Sequence, residues 1–336
     1  MARRKLNQNQ SRRVEKRQQQ RAERRQVVHD PLAGREDSKD EEGVVVSHYG
    51  RAVEVERPQL PGVLYRCHLR ANMPPLVAGD RVIWSPASTG ASVVVARLPR
   101  RSELCRPDRH GHNRPVAANI DYIVVVIAPA PCPHANLIDR YLVAAQAASI
   151  ETLLLLNKTD LVETGNNQEL SELLRVYEKV GHTVLTVSAK TAAGLDCVRE
   201  AINASTCVLV GQSGVGKSSL VNTLLPSVQT PTGPLSDNQS KGTHTTTTAR
   251  LFHINDTGGT LIDSPGIREF TLGDIEPASV INGFRELRHF AQQCRFRDCQ
   301  HDKEPGCALL KAVQTGEIAA VRFASYRQIM ADLAQR

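Results

Sequence analysis

Gly211, Gly216, Lys217 and Ser218 stand at the spacing G-x-x-x-x-G-K-S, directly after the apolar run Thr206-Cys207-Val208-Leu209-Val210. A strand that opens into such a loop and then a helix makes an anion cradle. Glycines let successive backbone N–H groups turn inward, and the helix N-terminus adds its positive dipole end. Gln212, Ser213, Gly214, Val215 and Ser219 complete the cradle. Lys217 is placed to reach the outer phosphates, and the Ser218 hydroxyl to ligate Mg²⁺. A second set, Asn157-Lys158-Thr159-Asp160, ends another apolar run. A carboxylate at Asp160 can accept from both the ring N–H and the exocyclic amine of guanine, a pairing that adenine cannot offer. Asn157 would hold the loop and the base, the Lys158 stem would cover the ring, and Ser188-Ala189-Lys190 would bring a backbone N–H to the guanine oxygen. The expected ligand is therefore GTP or GDP, with Mg²⁺.

Two further motifs follow the phosphate loop. Gly242-Thr243-His244-Thr245-Thr246-Thr247-Thr248 offers a threonine to Mg²⁺, best Thr246, when a γ-phosphate is present. Asp263-Ser264-Pro265-Gly266 offers a carboxylate to the metal's water and a backbone N–H, that of Gly266, to the γ-phosphate. The residue after Gly266 is Ile267, which can neither donate nor accept a hydrogen bond, so the attacking water must be oriented by something else. His244, two residues before Thr246, is the candidate; an imidazole can orient water or take up its proton near neutral pH. Catalytic work is thus expected of Lys217, Thr246 and His244.

Cysteines supply the last constellation. Cys294, Cys299, His301 and Cys307 are three thiols and one imidazole in a short stretch with Pro305-Gly306 to turn it. Four soft ligands close a tetrahedral structural Zn²⁺ site with no open position for catalysis. Arg295, Arg297 and Lys303 around it suggest a surface for RNA or another partner. The other cysteines are scattered singly, which suits a reducing, cytoplasmic setting rather than a secreted disulfide framework.

These motifs need a scaffold, and the pattern supplies one. From Ile120, apolar runs alternate with helix-length segments: strands at 123–128, 152–156 and 183–187, helices at 137–148, 169–180 and from about 195. This is the signature of a parallel α/β sheet. The order of motifs is unusual. N-K-x-D and S-A-K precede the phosphate loop instead of following it, so the GTPase sheet is expected to be circularly permuted, with D-x-x-G leading towards the C-terminal segment. Upstream, five short β-branched runs between Gly43 and Leu98 predict a small barrel of OB type, with an SH3-like barrel as the other option. Residues 99–115 read as a basic linker. Segments 282–293, 308–316 and 319–334 read as helices flanking the cysteine cluster.

The net charge is +7, and the whole excess sits in residues 1–36, which carry eleven Lys/Arg against four Asp/Glu. An Arg/Gln-rich arm of this kind is expected to be disordered or transiently helical alone and drawn to a phosphate-rich polymer. No run has transmembrane length, so no membrane partner is expected. The expected organisation is an arm at 1–38, an OB-like barrel at 39–105, a permuted GTPase domain at 106–275 and a mostly helical zinc domain at 276–336.

Taken together, the barrel, N-K-T-D, S-A-K, G-Q-S-G-V-G-K-S-S, G-x-H-T-T-T, D-S-P-G-I-R-E-F and the Cys/Cys/His/Cys set resemble the RsgA family of circularly permuted GTPases, over about residues 40–335. The basic arm resembles that of Gram-negative members. The resemblance implies a GTP hydrolase, acting as a monomer, that binds the 30S ribosomal subunit and its 16S rRNA late in assembly and turns over faster when bound. A zinc-dependent RNA-binding protein with GTP as a structural ligand is the alternative of another class. A P-loop kinase is a further one, which N-K-x-D argues against.

Overall fold

A computed structural model describes residues 40–70, 73–87, 92–107, 113–162, 168–225, 249–254, 257–263 and 275–335. The basic arm therefore lies outside the described residues. Five strands, β1 (Glu41–Tyr49), β2 (Ala52–Arg57), β3 (Leu60–Leu69), β4 (Arg81–Ser85) and β5 (Ser92–Arg97), form the barrel. They pair in the order β1-β2-β3-β5-β4, and β4 returns to β1. This Greek-key closure, with β3 parallel to β5, is of the OB type. Alternation along the strands turns Val53, Val55, Val82, Trp84 and Val94 into the barrel core.

The described parts of the stretch expected as a linker are instead structured. β6 (Glu103–Pro107) and β7 (Asn113–Ala118) pair as a two-stranded sheet. Arg100 explains how so basic a segment is held. Its guanidinium donates to both oxygens of the buried Asp80 at 2.7 and 2.8 Å, a bidentate pair bridging segment and barrel.

The second sheet unit comprises β8 (Tyr122–Ile127), β9 (Glu151–Leu156), β10 (Thr183–Thr186), β11 (Thr206–Val210), β12 (Arg250–His253) and β13 (Thr260–Asp263). Its order is β10-β9-β8-β11-β13-β12; the first five run parallel and β12 is antiparallel to β13. Helices α1 (Ala135–Ala147), α2 (Gln168–Lys179), α3 (Leu195–Ala201) and α4 (Lys217–Leu224) cover it. Strand periodicity divides the core. Ile123, Val125 and Ile127 of β8 pack with Ile138, Leu142 and Tyr177 of α1 and α2. Val124 and Val126 pack on the other face with Leu195, Val198, Leu220 and Val221. Each such fully buried side chain stabilises by about 1.5–3 kcal/mol relative to exposure. Strands on both sides of β11 come from opposite ends of the segment: β8 and β9 precede it in the chain, β13 and β12 follow. The expected permutation is thus the observed topology.

Four helices follow: α5 (Pro277–Val280), α6 (Arg285–Ala291), α7 (Ala308–Gln314) and α8 (Ala320–Ala334). The helix expected from Asn282 starts three residues later, after a 3₁₀ turn at Ile281–Gly283. Gly283 lies so close to α1 that an added Cβ would sit 2.6 Å from Val143 Cγ2. Arg322 of α8 is fully buried and pairs with Asp139 of α1. Its Nε donates to Glu286 Oε1 at 2.7 Å, and Tyr177 Oη donates to Asp139 Oδ1 at 2.7 Å. Removing one partner of such a pair costs about 3–5 kcal/mol, because a buried charge is left uncompensated. Among the described residues, no helix is long and apolar enough to cross a membrane.

Candidate nucleotide cradle and metal centre

β11 ends at Val210, and α4 begins at Lys217. The loop between them needs its glycines. Gly211 has φ +144°, and a Cβ there would lie 2.2 Å from Val126 O. Gly216 has φ +93°, and a Cβ there would lie 2.4 Å from Asn157 Nδ2. Any side chain would displace a neighbouring strand or the N-K-x-D loop. Lys217 Nζ donates to Gly211 O at 2.7 Å and Gln212 O at 2.8 Å, so the ammonium lies over the loop. Gln212, Ser213, Gly214 and Ser219 are exposed along its outer side, while Val215 is buried beneath it. Ser218 follows on the first turn of α4.

One buried amide ties three segments together. Asn157 Nδ2 donates to Val215 O at 2.9 Å, and its Oδ1 accepts from Ala189 N at 3.1 Å. Asn157 thus joins the phosphate loop to S-A-K, a tie that sequence spacing alone does not reveal. Lys158, with φ +61°, donates from Nζ to Gly214 O at 2.6 Å and Ala130 O at 2.9 Å. The Ala130 carbonyl is a contributor that no sequence signal marked. Thr159 N donates to Val187 O at 3.3 Å, closing the loop onto the end of β10. Asp160 accepts from Ser188 Oγ at 2.7 Å, and Lys190 Nζ lies 3.9 Å from its other oxygen. Ser188 therefore acts through its hydroxyl, orienting the carboxylate, in addition to the backbone role expected of its motif. Asp160 stays 20% exposed at its side chain, open to an incoming base edge.

Asp263 ends β13, the parallel neighbour of β11, on the edge that carries the phosphate loop. Open α/β sheets bind ligands at this carboxyl edge. His244, Thr246 and Gly266 lie outside the described residues.

The second centre is local. The ligating atoms of Cys294, Cys299, His301 and Cys307 all lie within 4.8 Å of one another. Cys294 Sγ is 3.9 Å from Cys307 Sγ, and each of these sulfurs is 3.5 Å from His301 Nδ1. Tetrahedral Zn²⁺ with ordinary Zn–S and Zn–N bonds needs S···S near ~3.8 Å and S···N near ~3.5 Å. The residues present fit that ion, with Nδ1 as the imidazole ligand. Burial lowers the His301 pKa, which favours the neutral ligating form. Glu304 braces the loop by accepting from the backbone N–H groups of Gln300, Asp302 and Lys303 at 2.7, 2.8 and 3.0 Å. Its own backbone N–H, and then those of Gln300, Asp302 and Lys303, lower its carboxyl pKa.

A parallel sheet with a phosphate loop on its central strand and N-K-x-D on a strand earlier in the chain defines a circularly permuted P-loop GTPase. The RsgA GTPase family model matches residues 97–273. The chain is 55% identical to the small ribosomal subunit biogenesis GTPase RsgA of Azotobacter vinelandii, over 99% of this chain and 98% of that protein. It is 54% identical to the protein of the same description from Pseudomonas aeruginosa, again over 99% and 98%. Among solved structures, YjeQ from Thermotoga maritima superposes with a TM-score of 0.72 at 31% identity, covering 88% of this chain and 99% of that one. YloQ, described as a circularly permuted GTPase, gives 0.70 at 26%, covering 90% and 99%. The chain belongs to the RsgA GTPase family.

Proposed function

We propose that this GTPase binds the small ribosomal subunit through its 16S rRNA, assists the subunit's late maturation, and uses GTP hydrolysis to control release. The observation that carries this reading is the prebuilt cradle, in which Asn157 fixes the base loop, the phosphate loop and S-A-K in one arrangement. Full-length similarity to proteins named for small-subunit biogenesis supports the choice of partner. GTP binds with its base on Asp160 and Ala189, its ring beside Lys158, and its phosphates on residues 211–219. Asn157, Thr159, Ser188 and Lys190 hold the base loops in place. Ser218 and Thr246 would hold Mg²⁺ with help from the Asp263 carboxylate, and the Gly266 N–H would answer to the γ-phosphate. The metal supplies charge neutralisation on the phosphates when bound. His244 orients the attacking water. Zinc at the cysteine cluster is structural, and the protein acts as a cytoplasmic monomer. The basic arm adds sequence-independent affinity for rRNA phosphate.

Co-sedimentation with purified 30S subunits tests the reading. A nucleotide-dependent complex, tighter with a non-hydrolysable GTP analogue than with GDP, is expected. Equal recovery with 30S, 50S and no subunit would contradict it.

A further inference from the structure

The barrel meets the GTPase sheet at β12, and the contact is mostly made by side chains. Backbone pairing between β12 and β1 amounts to one register position, Ser47 with Arg250. Around it, Arg250 Nη1 lies 3.4 Å from Glu54 Oε2 and donates to Tyr49 Oη at 3.2 Å. Ser47 Oγ donates to the same Glu54 oxygen at 2.6 Å. Further along β12, His253 Nε2 is 2.7 and 2.9 Å from the two oxygens of Glu56, whose carboxylate is nearly fully buried. Glu56 also accepts from Gly62 N at 3.0 Å, so it braces the β2–β3 turn. Separating β12 from the barrel would leave that buried carboxylate with the Gly62 N–H in place of the imidazole and the N–H together, which makes relative sliding costly.

The other side of β12 meets β13, whose C-terminal end reaches the nucleotide edge. β12 pairs with β13 at four positions, and Arg250 stands directly opposite Asp263. One residue thus pairs through its backbone with the backbone of Asp263, whose carboxylate is expected to answer to Mg²⁺, and through its side chain with the barrel. The barrel is also attached by Arg100 to Asp80, by Asn119 Nδ2 and Ala118 N to the carbonyls of Gly79 and Ala78, and by Val46 and Ala78 packed with Ile262, but Arg250 is the residue that pairs both with Asp263 and with a barrel carboxylate.

We propose that β12, clamped to the barrel by Arg250–Glu54 and His253–Glu56, transmits nucleotide state from Asp263 to the barrel, and so sets the barrel's affinity for its ribosomal partner. This rests on the reading that the chain binds the small subunit. Linkage makes the coupling reciprocal: a partner that favours the GTP arrangement of the barrel must tighten GTP binding by the same factor. Arg250 and Glu54 are positioning residues here, acting through strand placement.

The test is a charge-swap cycle on the full chain, using Arg250→Glu, Glu54→Arg and the two combined, with Glu56→Gln as a milder variant that keeps the side chain's shape. The first readout needs no ribosome. Amide hydrogen exchange over residues 44–57 is compared with GDP and with a non-hydrolysable GTP analogue. Protection in the wild-type chain should differ between nucleotides; in each single charge variant the difference should vanish, and in the swapped pair it should return. The second readout is the ratio of 30S affinities in the two nucleotide states, expected to be about 5-fold or more in the wild type and to fall towards one in the single variants. Hydrolysis by the isolated protein should stay unchanged throughout. Wild-type protection identical in both nucleotides overturns the coupling, whether or not 30S binding is found. So do single variants that keep the full affinity ratio, or that lose unstimulated hydrolysis in step with it. Absent 30S binding with intact nucleotide-dependent protection would overturn the ribosomal reading and leave the β12 coupling standing.

Discussion

The nucleotide cradle and the cysteine cluster are two ways of building a site. The cradle is assembled from distant segments, brought together by strand order and tied by one buried amide, Asn157. Its shape is made by backbone, with glycines where no Cβ fits. The cluster is assembled within residues 294–307 by four side chains, and Glu304 is its main additional brace. The cradle should therefore survive loss of its ligand, and the cluster should not. Preorganisation comes from the sheet in one case and from the metal in the other.

The sharpest way to break this contrast is to remove the metal. Chelation, or Cys299→Ser, should release stoichiometric zinc and unfold the surroundings of residues 294–307, since structural zinc binding is folding free energy, about 10–16 kcal/mol in isolated zinc-finger peptides. GTP affinity should change little. Zinc retained in the variant, measured by metal analysis, would contradict the assignment.

Next in size is the catalytic step. His244→Ala should keep GTP and 30S binding but slow subunit-bound hydrolysis by about 10²–10⁴-fold, the range for a positioned acid–base group. Single-turnover hydrolysis on saturating 30S subunits measures this; a rate within about twofold of wild type would remove His244 from the mechanism.

The cradle itself is tested by Asp160→Asn, which turns an acceptor into a donor facing the guanine ring N–H. Loss of a charged hydrogen bond of this kind costs about 1.5–3 kcal/mol, roughly 10- to 150-fold in affinity. Xanthosine triphosphate, with a carbonyl in place of the amine, should be tolerated better. Unchanged GTP affinity would take Asp160 out of the site.

His182 sharpens the comparison where the two units join. It is buried beside Arg285 and Tyr177, with no partner for either ring nitrogen among the described residues. Burial, and then the charges of Arg285 and Arg322, lower its pKa to about 4. The unfolded chain therefore binds more protons than the folded one between that value and ~6.5, so stability falls as pH drops through this window, by up to about 3 kcal/mol. His182→Gln should flatten that part of a pH–stability curve measured by urea unfolding. An unchanged curve would show that the histidine is not held neutral.

Much of this was legible in the sequence, for physical reasons. A phosphate loop must be contiguous, because successive N–H groups line it, so Gly211 to Ser218 could be read directly. The cysteine cluster was legible because its ligands are close in sequence. Continuous apolar runs gave β8 and β9, because both faces of a parallel sheet are buried. What escaped depends on contacts between distant segments. The 99–115 stretch reads as a basic linker because its charge is visible and its partner, Asp80, is not marked. Asn157's double bond, the Ala130 carbonyl and the Arg322–Asp139 pair carry no local signal, since each exists only once the sheet has closed.

The account turns most directly on GTP turnover with and without the small subunit. Multiple-turnover phosphate release is measured at saturating GTP and Mg²⁺, alone and with 30S, 50S or 70S particles. The account predicts slow turnover alone and strong stimulation by 30S that His244→Ala abolishes. Turnover that 30S subunits leave unchanged, with GTP bound tightly throughout, would contradict it and make GTP a structural ligand of an RNA-binding protein.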